Sequence, residues 1–167
     1  MRRTLIVLLF LLQTSGIFSQ AVLRTEMRSA FHACSTGSKT DALYKLLSGA
    51  ENSGTIVKGY LGAVTALKAN YSYNPVKKYN YCKDGLNLLS QAIANSPNDL
   101  ELRYLRILLQ SKIPSFLGMN QNIKEDKVIL LNKIGLEEDH ELKQIISSFL
   151  LKSDICTDNE KKLLASR

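Results

Sequence analysis

Beyond residue 20, apolar side chains recur at intervals of three and four, and almost no segment alternates with period two. That rhythm places apolar groups on one face of a helix and on neither face of a strand. It predicts an all-α chain with sheet content near zero. Short turns punctuate the rhythm. The first helix is expected over Leu23 to Ala33, before the Ser35-Thr36-Gly37 turn, and the second over Lys39 to Leu47 with Ser38 and Asp41 as its capping box. The third runs from about Ser53 to Asn70, with Ile56, Tyr60, Val64, Leu67 and Tyr71 as its stripe. The fourth opens at Asn74-Pro75, a capping residue followed by proline at the first helical position, and reaches Asn95. Its stripe is Val76, Tyr79, Cys82, Leu86, Leu89 and Ile93.

Asn98 with Glu101 reads as the capping box of a fifth helix carrying Leu102, Leu105, Leu108 and Leu109, which stops near Pro114. Asn122 with Glu125 reads as the box of a sixth, with Val128, Ile129 and Leu131, closed by Gly135. Leu142, Ile145, Ile146, Phe149 and Leu150 stripe a seventh, and Thr157 with Glu160 caps a short final turn or helix. The expectation is about six to seven helices arranged as antiparallel hairpins. Gly59, Gly62, Ala63, Ala66 and Ala69 lie beside the third stripe. Two helical glycines cost about 1 kcal/mol each against alanine, so close approach of a neighbouring helix is the expected compensation.

The first nineteen residues read as a cleaved signal peptide. Arg2 and Arg3 precede an apolar run from Thr4 to Leu12, and Ile17-Phe18-Ser19 closes the segment with a small residue. Cleavage is expected after Ser19, with Gln20 as the second choice. The run is far short of the roughly 20 residues that span a bilayer. Residues 20–167 then form a single helical domain, exported to the periplasm or secreted, with no membrane span. The chain carries a net charge of +7, which becomes +5 without Arg2 and Arg3. Its lysines are dispersed, with doublets only at Lys77-Lys78 and Lys161-Lys162. Nucleic-acid binding needs cations gathered on one face, so that class is set aside.

Three cysteines, Cys34, Cys82 and Cys156, are too widely spaced for a zinc knuckle. An oxidising compartment permits one disulfide, and Cys34 with Cys156, near the two ends, is the candidate pair. Cys82 reads as a buried small hydrophobe. His32 and Cys34 are two apart and diverge on a helix, while His140 sits in an acidic helix start. No metal, no cofactor and no catalytic set is expected.

Ala92-Ile93, Pro97 and Asn98-Asp99-Leu100-Glu101-Leu102-Arg103-Tyr104 together resemble the junction between two tetratricopeptide-type repeats. On that resemblance Ala92 is the small packing position, Pro97 the turn, Leu89 the larger hydrophobe, and Gly85 the small residue at the crossing of paired helices. The preceding repeat departs from the pattern, because a turn stands at Asn70 to Asn74. Gly59-Tyr60-Leu61-Gly62-Ala63, Glu101 to Arg106, Ile113 to Leu117 and Glu125-Asp126-Lys127 also look like exported Bacteroidetes-type proteins of unassigned function. The resemblances imply a short tetratricopeptide-like array and supply no activity.

Arg103 and Arg106 share one flank of the fifth helix. They suit either a carboxylate or phosphate clamp or a structural tie to Asp126 on the sixth. Tyr71, Tyr73, Tyr79 and Tyr81 crowd one helix junction, where they either line a groove or cover the hairpin end. The expected function is a non-catalytic exported binding or scaffold protein for a protein or peptide partner. Its expected contact residues are Tyr73, Tyr81, Arg103, Arg106, Asp126 and Lys127. The alternatives are a small periplasmic enzyme built on Glu101, Asp126, Lys127 and Tyr60, and a purely structural accessory protein.

Overall fold

The computed structural model describes residues 21–166, and among them the three-and-four rhythm becomes helix throughout, with no strand. Helix α1 covers 21–32. It is followed by α2 (Gly37–Ser48), α3 (Thr55–Leu67), α4 (Pro75–Asn95), α5 (Leu100–Gln110), α6 (Ile123–Lys133), α7 (His140–Lys152) and α8 (Asp158–Ala165). Short 3-10 turns at Glu51–Ser53, Lys68–Tyr71, Ser115–Leu117 and Ile134–Leu136 join or extend them. The described residues thus hold eight helices instead of six or seven. The difference is the last element, where Thr157 and Glu160 form a complete capping box and a full helix follows. The expected leader, residues 1–19, lies outside the described residues.

Caps that depend only on neighbours in sequence form as expected. Asn74 Oδ1 accepts from the backbone N–H groups of Val76 and Lys77 at 2.9 and 3.1 Å, with Pro75 behind it. Three caps differ. α2 is capped by Thr36, whose hydroxyl accepts from Lys39 N, and Ser38 lies inside the helix. α5 is capped by Asp99 in place of Asn98, and its carboxylate accepts from Glu101 and Leu102 N at 3.1 Å each. Asn122 holds the cap position of α6 without a capping bond, since its Oδ1 accepts from Gln110 Nε2 instead. Glu101 and Glu125, expected as capping partners, are drawn into ion pairs with other helices.

The small-residue stripe has the role its composition suggests. A Cβ on Gly62 would lie 2.7 Å from both Gly85 O and Leu89 N, and one on Gly85 would lie 2.5 Å from Gly62 O. Gly59 faces Ala92 and Leu102. Partner numbers fall from 92 to 85 as α3 positions rise from 59 to 66, so α3 and α4 run antiparallel with backbones in contact. Gly85 stands at their crossing.

Helix α5 is the axis of the molecule. All of its residues are buried except Leu108, which is half-buried. α1 crosses over α3 and α5, with Phe31 edge-on to Tyr60 at 6.0 Å, and Tyr104 of α5 meets Phe149 of α7 at 5.6 Å. Two stripes need correction. On α6 the buried line is Asp126, Leu130 and Ile134, while Val128 is exposed. A carboxylate within the buried line hides it from a reading by hydrophobicity. On α4 the stripe is core only from Gly85 onward: Val76 and Tyr79 are exposed and Cys82 is half-buried. Among the described residues, no helix packs over that face of the first half of α4.

Candidate functional site: two buried ion networks and an apolar cleft

Arg28 projects from α1 into the core and is 1% exposed. Its Nε donates to Glu101 Oε1 at 2.7 Å, and its two terminal nitrogens donate to Asp139 and Glu141 of α7 at 2.8 Å each. Tyr60 of α3 donates its hydroxyl to the same Glu101 Oε1 at 2.7 Å. Arg24, one turn earlier, reaches Glu101 Oε2 at 3.1 Å and Asp99 at 2.7 Å. One network therefore joins α1, α3, α5 and the start of α7. Burial opposes the charge on Arg28, but hydrogen bonds to Glu101 and Asp139 outweigh it and raise its pKa. Burial and the Glu101 charge push the Tyr60 phenol well above its ordinary range, so it acts as a donor. Burial likewise pushes Tyr104 up to about 12.

The second network lies on the other flank of α5. Asp126 is fully buried and receives Arg106 through two bonds of 2.7 Å, a bidentate pair, and Arg103 at 2.7 Å. Arg103 also donates to Glu125 at 2.8 Å and to the Pro97 carbonyl at 2.7 Å. Both guanidinium groups are thus occupied within the protein. Of the two readings that the spacing left open, the geometry supports the tie between α5 and α6 over an exposed clamp.

The other expected contact residues lie elsewhere. Lys127 pairs with Glu160 of α8 and donates to the Ile155 carbonyl. Tyr73 is fully exposed. Tyr81 is half-buried beside Lys68, whose ammonium lies 5.3 Å from its ring, in a hollow of about 220 Å³. Arg103, Arg106 and Asp126 come together, whereas Tyr73, Tyr81 and Lys127 stand apart from them and from one another. Of the four groups in the enzyme alternative, Tyr60 and Glu101 meet, while Asp126 and Lys127 face other helices. Tyr60 and Glu101 are 0% and 1% exposed, so neither presents an atom to a substrate.

Cys34 and Cys156 are both buried free thiols, which corrects the candidate disulfide; Cys82 is also free. Among the described residues no group of three or more His, Cys, Asp or Glu is placed to hold a metal, and no helix is long and apolar enough to cross a membrane.

The unpartnered half of α4 forms one wall of a cleft of about 750 Å³. Phe31, His32 and Cys34 from the end of α1, Leu67 from α3, and Leu108, Ile113 and Leu117 from the end of α5 and the loop beyond supply the rest. Tyr79 and Cys82 face into it from α4. A second cleft of about 880 Å³, between the end of α5 and α7, is lined by Gln110, Gln144 and several serines. Gln110 Oε1 there is buried without a hydrogen-bond partner among the described residues.

No family model, curated protein or solved structure matches this chain. Function is therefore read from the residues themselves. The sequence signal for the cleft was the Tyr79 and Cys82 part of the α4 rhythm, read as core because periodicity cannot tell a covered stripe from an open one. The signal for the first network was Arg28 beside Met27 and Phe31 in a buried register, with Glu101 read as a cap.

Proposed function

We propose that this protein is a non-catalytic, exported binding protein whose ligand occupies the apolar cleft between α1, α3, α4 and the end of α5. The supporting observation is the half-covered stripe of α4: Tyr79 stays exposed and Cys82 half-buried at the wall of a cleft of about 750 Å³ instead of being packed away. Apolar clefts of roughly 300–1,000 Å³ with a few polar groups are the usual form of a small-molecule site. The first ion network ties together α1, α3 and α5, three of the four walls of the cleft. The helical pairs are read as a short tetratricopeptide-like array. Export through a leader cleaved after Ser19 belongs to the same reading.

The ligand site moves away from the surface expected from sequence. Arg103, Arg106 and Asp126 serve the frame, and Tyr73 and Tyr81 lie outside the cleft wall. The enzyme alternative is weaker, because Tyr60, Glu101, Asp126 and Lys127 are committed to internal partners.

Nile red, a neutral apolar dye, tests the reading. The wild type is expected to bind it saturably at one site per chain. Cys82→Phe, which fills the cleft from α4, is expected to abolish binding while helical circular dichroism is retained. Tyr73→Ala is expected to leave binding unchanged. Dye binding that persists in folded Cys82→Phe would remove the cleft from the function. Export is checked separately by intact mass: the product released by a secreting host is expected to begin at Gln20.

A further inference from the structure

We infer that the ligand of the apolar cleft is a free, singly anionic amphiphile of the fatty-acid type, with its alkyl chain in the cleft and its carboxylate between Lys78 and Lys112. The inference rests on the cleft being the binding site, and adds the chemical class of its occupant.

Charge is the deciding observation. The wall contains two lysines from two different elements, Lys78 on α4 and Lys112 just beyond α5, and no aspartate or glutamate. Neither lysine has a side-chain partner among the described residues. The lysines that brace the fold behave differently: Lys68 pairs with Asp41, and Lys127 with Glu160. Lys78 and Cys82 are four apart on one face of α4, and the Cys82 thiol, pushed up by burial, is drawn partly back by the charge of Lys78. Lys78 itself lines the cleft, one turn from Cys82. His32 adds no positive charge at neutral pH, because desolvation and the nearby Arg28 charge hold its imidazole below the ordinary value. It remains a hydrogen-bonding group at the wall.

The rest of the wall suits an alkyl chain. Phe31, Leu67, Leu108, Leu109, Ile113 and Leu117 present aromatic and branched aliphatic surface. A peptide strand would bring backbone N–H and C=O groups that need partners, and Asn70 is the only side-chain amide in this wall. A cationic ligand or a metal ion has no acid there to meet.

Calorimetry with octanoate, decanoate and decanol, all below their aggregation limits, separates the terms. Each buried methylene is expected to tighten binding about fourfold, so decanoate should bind about 15-fold tighter than octanoate. Decanoate should also bind more tightly than decanol. The Lys78→Gln/Lys112→Gln variant, altered only at exposed side chains, should lose about tenfold in decanoate affinity and none for decanol. Equal affinity for decanoate and decanol, or a decanoate affinity that ignores the double substitution, would overturn the anionic assignment while leaving an apolar-ligand site. Failure of both ligands to bind would overturn the cleft reading as well. Capture by phosphatidylglycerol vesicles that depends on the two lysines, without binding of decanoate, would assign the surface to a membrane and overturn the free ligand.

Discussion

Arg28 and Glu101, 73 positions apart, meet at 2.7 Å with side chains 2% and 1% exposed. The pair holds α1 onto α5, and Tyr60 and Arg24 complete the coordination of the same carboxylate. Removing one partner of a buried pair costs about 3–5 kcal/mol when the other charge is left alone, and here the low end is expected, because Asp139 and Glu141 still face Arg28 while Arg24 and Tyr60 still face Glu101. Arg28→Met and Glu101→Leu are each expected to destabilise by that order in urea unfolding. The double variant is expected to be less destabilised than the sum of the two, because the Arg28–Glu101 contact can be lost only once. Strict additivity would show that the contact is incidental.

The glycines of the α3–α4 crossing give a contrast within one residue type. Gly62→Ala pushes a methyl group onto the backbone of α4 and is expected to destabilise by about 1–3 kcal/mol. Gly135 has nothing within 4 Å of an added Cβ and no positive φ. Gly135→Ala is therefore expected to be neutral or to stabilise by about 0.4–1 kcal/mol. Thermal melts of the two variants against wild type would check the order.

Two carboxylates that brace the frame set the acid limit of stability. A hydrogen bond from Arg103, joined by the charges of Arg103 and Arg106, holds Glu125 below its ordinary value of 4.5. At Asp139 burial works in the opposite direction, but the Arg28 hydrogen bond and backbone amides outweigh it and lower the pKa from 3.8. The folded state therefore binds fewer protons than the unfolded one between the lowered and the ordinary values. Their contribution is whole above about pH 5 and is lost as pH falls through 4.5 and below. Both side chains are partly exposed, so the effect is modest and shrinks in salt. Urea midpoints from pH 7 to pH 3 should fall less steeply for Glu125→Gln than for wild type.

The three thiols should react in a set order. Cys34 and Cys156 are buried, whereas Cys82 is half-buried at the cleft wall. Burial raises all three pKa values, so exposure decides the rates. Native alkylation followed by peptide mass mapping is expected to modify Cys82 first, and all three only after unfolding. A Cys34–Cys156 crosslinked peptide in the unreduced protein would contradict the free thiols.

What the sequence by itself determined is the part governed by neighbours along the chain. Period three-and-four and its near-complete lack of period two dictated helix. Asn74 before Pro75, and Thr157 with Glu160, set helix starts because the groups that bond are two or three residues apart. The glycine and alanine stripe of α3 announced a close crossing, since a helix carries such residues at a cost. Tertiary structure decided which polar groups leave the surface. Glu101 and Glu125 fit local caps, yet arginines offered stronger, charge-assisted bonds and drew them away. Asp126 became a core position only because Arg103 and Arg106 converge on it from another helix. The first half of α4 carries the same stripe as the second. Burial of that stripe depends on whether another helix lies across it, and only the packed fold shows that none of the described ones does.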